Sequence, residues 1–168
     1  MSDFAKTSQI SHLVFKPYTL ALNGIGQAVW FILLELLLQT FCKQTFAREK
    51  LVLKDGGTVA LDWDKQMPDP KEKPDKPILL MIPGVAGDSE NLYQTDLLRH
   101  IRHKFRVVIM VSRGSGGLPL TSARLNCINT WDDLKPVVKH LDEKYVGRDA
   151  KGHKRTRLYI FGASLGGS

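Results

Sequence analysis

Residues 28–38 read Ala-Val-Trp-Phe-Ile-Leu-Leu-Glu-Leu-Leu-Leu, and weaker apolar character reaches back to Tyr18. After residue 46 the pattern changes to short runs. Leu51-Val52-Leu53 and Thr58-Val59-Ala60-Leu61-Asp62-Trp63 flank Asp55-Gly56-Gly57. Two β-prone runs joined by an Asp-Gly-Gly turn predict an antiparallel hairpin. Residues 64–77 hold four prolines and alternating charges, which predicts a solvated loop. Three longer apolar runs follow at Ile78–Ile82, Val107–Val111 and Leu158–Phe161. They lack inside/outside alternation, as strands of a parallel sheet covered on both faces do.

Helical spacing fills the gaps between these runs. Tyr93, Leu97 and Ile101 fall at i, i+4 and i+8, with Asp88 or Ser89 as the expected N-cap. Leu134, Val137, Val138, Leu141 and Tyr145 form a second apolar face, and Thr130 with Asp133 has capping-box spacing before it. Pro136 should bend that helix or end its first turn. The loop 112–129 is long for an α/β connection. It carries Arg113-Gly114-Ser115-Gly116-Gly117, which suits tight turns or an anion nest. Alternating β and α elements place the body in the α/β class, as a hairpin leading into a parallel sheet with flanking helices.

The apolar segment before residue 46 has three open placements. A window over Tyr18–Phe41, or about 18–42, reaches the roughly 20 residues a single-pass span needs. Glu35 opposes that placement, at about 2–3 kcal/mol in lipid. A peripheral helix in the headgroup region and a helix packed on the body are the others. The organisation expected is an N-terminal segment, 1–46, with a membrane-anchoring helix, and a body over 47–168. Lys43, Arg48, Lys50 and Lys54 outnumber Lys6 and Lys16 around the segment, a weak bias for a cytoplasmic body.

Composition narrows the partners. Of 168 residues, 24 are basic and 17 acidic, giving a net charge of +7, and 43% are hydrophobic. The charge is scattered rather than gathered in a stripe with aromatics, so no nucleic-acid partner is expected. An anionic membrane surface suits it better. Cys42 and Cys127 are far apart with no CxxC or His-rich pattern, so neither a disulfide framework nor a metal site is expected. Cys42 is a free thiol or a palmitoylation site.

The chemistry lies at the end of the chain, Tyr159-Ile160-Phe161-Gly162-Ala163-Ser164-Leu165-Gly166-Gly167-Ser168. Gly162-Ala163-Ser164-Leu165-Gly166 is a G-x-S-x-G sequence directly after an apolar β-run. A nucleophilic serine must stand clear of the sheet on a sharp turn. There the residues two before and two after come too close to backbone to carry side chains. Acyl transfer also needs two donors aimed at the developing oxyanion. One is the backbone N–H of Leu165. The other is expected from Pro83-Gly84-Val85-Ala86-Gly87, after the strand Ile78–Ile82, with Val85 as the donor.

Together, Asp55-Gly56-Gly57, Leu61-Asp62-Trp63, Pro83–Gly87, Arg113–Gly117, Trp131-Asp132-Asp133-Leu134 and Gly162–Gly166 resemble, in that order, the α/β-hydrolases. Within that superfamily the set is similar to the membrane-anchored abhydrolase domain-containing proteins one and three, over residues 48–168. The resemblance implies a serine esterase of lipase, phospholipase or carboxylesterase type, without cofactor, acting on a lipid or small ester. It implies Ser164 as nucleophile, Val85 and Leu165 as the backbone oxyanion hole, Gly162 and Gly166 as the elbow, and an N-terminal membrane anchor.

Two features depart from the pattern. Pro83 stands where many α/β-hydrolases carry His. The fold's order of Ser, acid, His puts both partners after Ser164, where only four residues follow. His100, His103, His140 and His153 all precede it, and none is placed by motif to act as base. The body therefore reads as the N-terminal half of an α/β-hydrolase domain, ending just after the nucleophile elbow. This 168-residue chain alone is expected to be inactive. The competing readings are a catalytically silent membrane-tethered form and an acyltransferase using the same residues.

Overall fold

The computed structural model describes residues 24–41, 44–65, 76–84, 87–125 and 131–167. The chain divides into two compact units, Met1–Thr40 and Phe41–Ser168.

In the first unit, helix α1 spans Gly24–Phe41. Its apolar side chains point in every direction: Val29, Phe31, Leu33, Leu36 and Leu37 are each about half exposed. At 1.5 Å per residue it is about 27 Å long, short of a hydrocarbon core of about 30 Å. Among the described residues no helix is long and apolar enough to cross a membrane. Of the helix expected over about 18–42, the described residues hold Gly24–Phe41. Residues 18–23 and Cys42 lie outside the described residues.

The second unit is built on a mixed sheet of five strands in the order β1-β2-β4-β3-β5. Strands β1 (Phe46–Val52) and β2 (Thr58–Asp64) form the expected antiparallel hairpin. Its turn closes through Leu53 N–H to Gly57 O at 2.8 Å, with Gly56 at φ 78° where a side chain would be strained. β2 also runs antiparallel to β4 (Arg106–Val111). β3 (Ile78–Ile82) is parallel to β4 on one side and to β5 (Leu158–Gly162) on the other. Most of the expected solvated loop, residues 66–75, lies outside the described residues.

Period-two alternation divides the sheet's side chains between two cores. Val59, Leu61, Ile78, Leu80, Val108 and Met110 face helix α3 (Trp131–Leu141), where Val137 and Leu141 are fully buried. Met81, Val107 and Ile109 face the other way, onto Leu98 of helix α2 (Leu92–Ile101). Each such fully buried side chain contributes about 1.5–3 kcal/mol by leaving water. Helix, sheet and helix make the three layers of an α/β domain.

Three local expectations are corrected. The N-cap of α2 is Asn91, not Asp88 or Ser89. The Asn91 side chain accepts the Asp88 N–H at 3.0 Å, and the Ser89 hydroxyl is drawn to Asp62. The fully buried face of α2 is also rotated by one residue, to Gln94, Thr95 and Leu98, leaving Tyr93 41% exposed. Finally, β5 is not covered on both faces: Tyr159, Ile160 and Phe161 are 40–50% exposed on a strand that, among the described residues, pairs only with β3. Pro136 neither ends nor breaks α3. The helix forgoes the hydrogen bond that this residue's N–H would otherwise donate to the Asp132 carbonyl, and it continues into a π-helical turn over Asp142–Val146.

Candidate active site

The parallel pairing of β3 with β5 places the two motifs side by side, since Ile82 is in register with Gly162. The ladder extends one bond further, from Ala163 N–H to Ile82 O at 3.1 Å. The chain then reverses into a 3₁₀ turn over Ser164–Gly167, closed by Gly166 N–H to Ala163 O at 3.0 Å. Ser164 has φ 54°, and it is the one non-glycine residue with positive φ among the described residues. Holding an L-residue there costs about 1–2 kcal/mol. The turn is tight enough to dictate its neighbours. A Cβ at Gly162 would fall on the Gly166 carbonyl, and one at Gly166 would come within 2.7 Å of Pro83 O.

Ser164 is exposed and faces the loop after β3. A Cβ added to Gly84 would lie 3.2 Å from Ser164 Cβ and 3.7 Å from its Oγ. The Leu165 N–H finds no acceptor among the described residues. Val85, the expected second donor, and Ala86 lie outside the described residues. On either side of them, Gly87 N–H donates to Gly84 O at 3.1 Å, and Gly87 packs against the Pro83 ring where a Cβ would clash.

Two sets of residues hold this loop, and neither was anticipated. The Tyr93 hydroxyl accepts the Gly84 N–H at 3.2 Å and the Gln94 amide at 3.1 Å. Tyr93 thus serves the loop instead of the core, and Gln94 is buried to support it, with its Oε1 finding no partner among the described residues. Behind them, Asp62 is 1% exposed. It receives Arg48 through two bonds of 2.7 Å and the Ser89 hydroxyl at 2.6 Å. Arg48 also donates to Gly116 O at 2.5 Å. The Asp62 hydrogen bonds and charge raise the Arg48 pKa against the effect of burial. One buried carboxylate so links β1, β2 and the loops after β3 and β4. An aspartate within an otherwise apolar strand was the available signal.

The glycine-rich loop after β4 makes tight turns: Gly114, Gly116 and Gly117 have φ of 68°, 53° and 73°. Its Arg113 is buried between two carboxylates. It donates to Asp133 at 2.6 and 2.7 Å, to Asp55 at 2.5 and 3.1 Å, and to Ser122 at 2.7 Å. The hydrogen bonds it donates to Asp133 and Asp55 raise the Arg113 pKa, and Arg113 holds Asp55 below its usual range. Asp133 is thus engaged by an arginine, and the Thr130 half of the expected capping box lies outside the described residues.

The histidines are engaged elsewhere. His100 Nδ1 contacts Asp96 O at 2.9 Å, His140 pairs with Glu49 at 2.8 Å, and His153 lies 3.4 Å from Asp149. His100 and His103 close α2 as it returns to the start of β4, the sheet end opposite Ser164. Among the described residues no group of three His, Cys, Asp or Glu could hold a metal ion.

No family model matches the chain. It is 34% identical over 125 residues to the embryogenesis-associated protein EMB8 of Picea glauca, covering 71% of this chain and 26% of that protein. It is 28% identical over 106 residues to the phospholipase ABHD3 of Mus musculus, covering 61% and 26%. The chain thus spans about a quarter of the length of these curated relatives. Among solved structures, the esterase Pf2001 of Pyrococcus furiosus superposes with a TM-score of 0.53 at 14% identity, covering 76% of this chain and 45% of that one. A hydrolase from Pseudomonas aeruginosa superposes with 0.50 at 22% identity, covering 71% and 37%. Sheet order, a left-handed serine on a strand-to-helix turn and these comparisons agree: the chain has an α/β-hydrolase fold.

Proposed function

We propose that this chain carries the nucleophile half of a serine hydrolase of carboxylic esters, with lipid or phospholipid acyl esters as the substrate class. The observation that carries the proposal is Ser164 at φ 54° on a turn whose flanking positions admit only glycine, facing the loop after β3. In this reading Ser164 Oγ attacks the ester carbonyl carbon and forms the acyl-enzyme. The N–H groups of Leu165 and Val85 hold the oxyanion of the tetrahedral intermediate. A histidine takes the serine proton and passes it to the departing alkoxide, and an aspartate orients that histidine. By the order of the fold, both follow Ser164 in the polypeptide, and His100, His140 and His153 stay in their present contacts.

The phospholipase name of a relative at 28% identity supports the lipid substrate. Helix α1 supports a membrane location, single-pass or peripheral, because its half-exposed apolar side chains would leave water there. Acyl transfer to an alcohol other than water uses the same acyl-enzyme and is the second outcome.

Reaction with a fluorophosphonate probe tests the reading. In a protein joining this sequence to the downstream acid and base, the probe labels Ser164, and Ser164→Ala abolishes labelling. Absence of labelling in the longer protein would overturn the proposal.

A further inference from the structure

A pocket of about 440 Å³ lies between the β1–β2 turn, Arg113 after β4 and the first turns of α3. It is separate from Ser164 but lies toward the same end of the sheet. β4 and β5 flank β3, which puts their carboxyl ends about 10 Å apart at the usual strand spacing. The size lies within the range of small-molecule sites.

Its wall chemistry is uneven. Leu53, Pro136 and the lysine stems supply apolar surface, while Lys54, Lys135 and Lys139 bring ammonium groups to the lining. Three carboxylates share the lining, and each is already engaged by an arginine. Asp55 and Asp133 hold Arg113, and Asp132 pairs with Arg124 at 3.0 Å. The lysines are not answered in the same way. Lys54 and Lys135 have no ion-pair partner among the described residues, and Lys139 has only the exposed Glu143 at 3.7 Å. The five cations and three carboxylates of the lining leave a surplus of two positive charges. Burial fixes Arg113 and Asp133 as wall, and Asp55 is tied to Arg113, so the surplus sits on the exposed lysine heads, where an incoming anion meets it.

We infer that this pocket binds an amphiphilic anion, an alkyl chain ending in a carboxylate or a phosphate monoester. The chain lies against Leu53 and Pro136, and Lys54, Lys135 and Lys139 receive the headgroup. A neutral amphiphile would fill the apolar part and leave the cationic surplus unanswered. A small inorganic anion would meet the lysines without the apolar contact. The inference does not depend on Ser164 being a nucleophile.

The test is titration of the ¹⁵N-labelled chain, below micellar concentration, with dodecanoate, dodecyl phosphate, dodecanol and inorganic phosphate. Both amphiphilic anions should shift the amides of Lys54, Asp55 and Lys135 and bind about tenfold tighter than dodecanol or inorganic phosphate, a difference of about 1.4 kcal/mol. Tighter binding of dodecyl phosphate would assign the site to phosphate monoesters, and equal binding would assign it to anionic headgroups in general. Lys54→Glu with Lys135→Glu should weaken both anions about tenfold. Lys54→Arg with Lys135→Arg should preserve binding, and Ser164→Ala should bind as the unaltered chain does. In the unaltered chain, raising salt from about 50 to about 300 mM should weaken the anions and spare dodecanol. Dodecanol binding as tightly as the anions, shifts confined to α1, or no binding of either anion would overturn the inference.

Discussion

Arg113→Met offers a sharp test of how the sheet's glycine-rich loop is held. Arg113 has a side-chain exposure of 2% and Asp133 of 6%, so methionine removes one buried charge and strands another. Removing one partner of a buried pair costs about 3–5 kcal/mol, mostly from the carboxylate left uncompensated. Asp55 adds little, because its side chain is 40% exposed and can turn to water. The expected loss is about 3–4 kcal/mol at neutral pH. With a urea slope of about 1.5 kcal/mol/M for a domain of this size, the midpoint falls by about 2 M. Acid should narrow the gap between the two proteins. Asp55 lies below its usual range in the folded chain, through its bonds from Arg113. Its contribution is therefore present above its unfolded value and fades as pH falls. The variant has already lost that contribution. Adding Asp133→Leu to Arg113→Met should recover much of the loss. A midpoint shift equivalent to less than about 1 kcal/mol, or a double variant no better than the single one, would refute the reasoning.

Two further predictions follow from the site and the sheet edge. Gly166→Ala should lower stability by about 1–3 kcal/mol or more, because its methyl meets the backbone of Ile82 and Pro83, which cannot rotate away. Chemical denaturation measures this, and a neutral effect would contradict the tight elbow. Glu49 receives Lys144 at 2.6 Å, the Tyr145 hydroxyl at 2.6 Å, His140 at 2.8 Å and the Trp63 N–H at 3.3 Å. Burial alone would raise its pKa, but these four bonds outweigh that and lower it to about 2. Its contribution is complete above an ordinary glutamate value near 4.5 and is lost as pH falls from there toward 2. Solvent screening at its partly exposed partners limits it to about 1–2 kcal/mol. Glu49→Gln should flatten stability over that interval, and an unchanged acid slope would remove Glu49 as its source.

The parts legible in the sequence were those that short-range sterics impose. The glycines at 162 and 166 could be placed because a sharp strand-to-helix turn excludes side chains at fixed offsets, and the backbone meets that exclusion at Gly166 and Pro83. The hairpin and the α3 face were legible for the same local reason, as turn chemistry at Asp55–Gly57 and helical spacing at Leu134, Val137, Val138 and Leu141. The supports of the site are long-range. Arg48 and Asp62 are 14 residues apart, Asp62 and Ser89 are 27, and Arg113 and Asp55 are 58. No periodicity joins such pairs, and a charged residue in a strand announces a partner without naming it.

Tyr93 shows how a local rule can mislead. Its i, i+4, i+8 spacing with Leu97 and Ile101 is real, yet its polar tip is taken by Gly84 N–H, and the helix turns Gln94 and Leu98 inward instead. A polar handle on an aromatic ring makes it suited to a boundary between core and solvent. At the end of β3 that boundary is the candidate oxyanion loop. The same reasoning separates β5 from β4: both are apolar runs, but coverage depends on neighbours that hydrophobicity alone does not specify. β4 is buried between β2 and β3, whereas among the described residues β5 has a strand neighbour on one side, β3, and presents Tyr159, Ile160 and Phe161 beside the exposed serine.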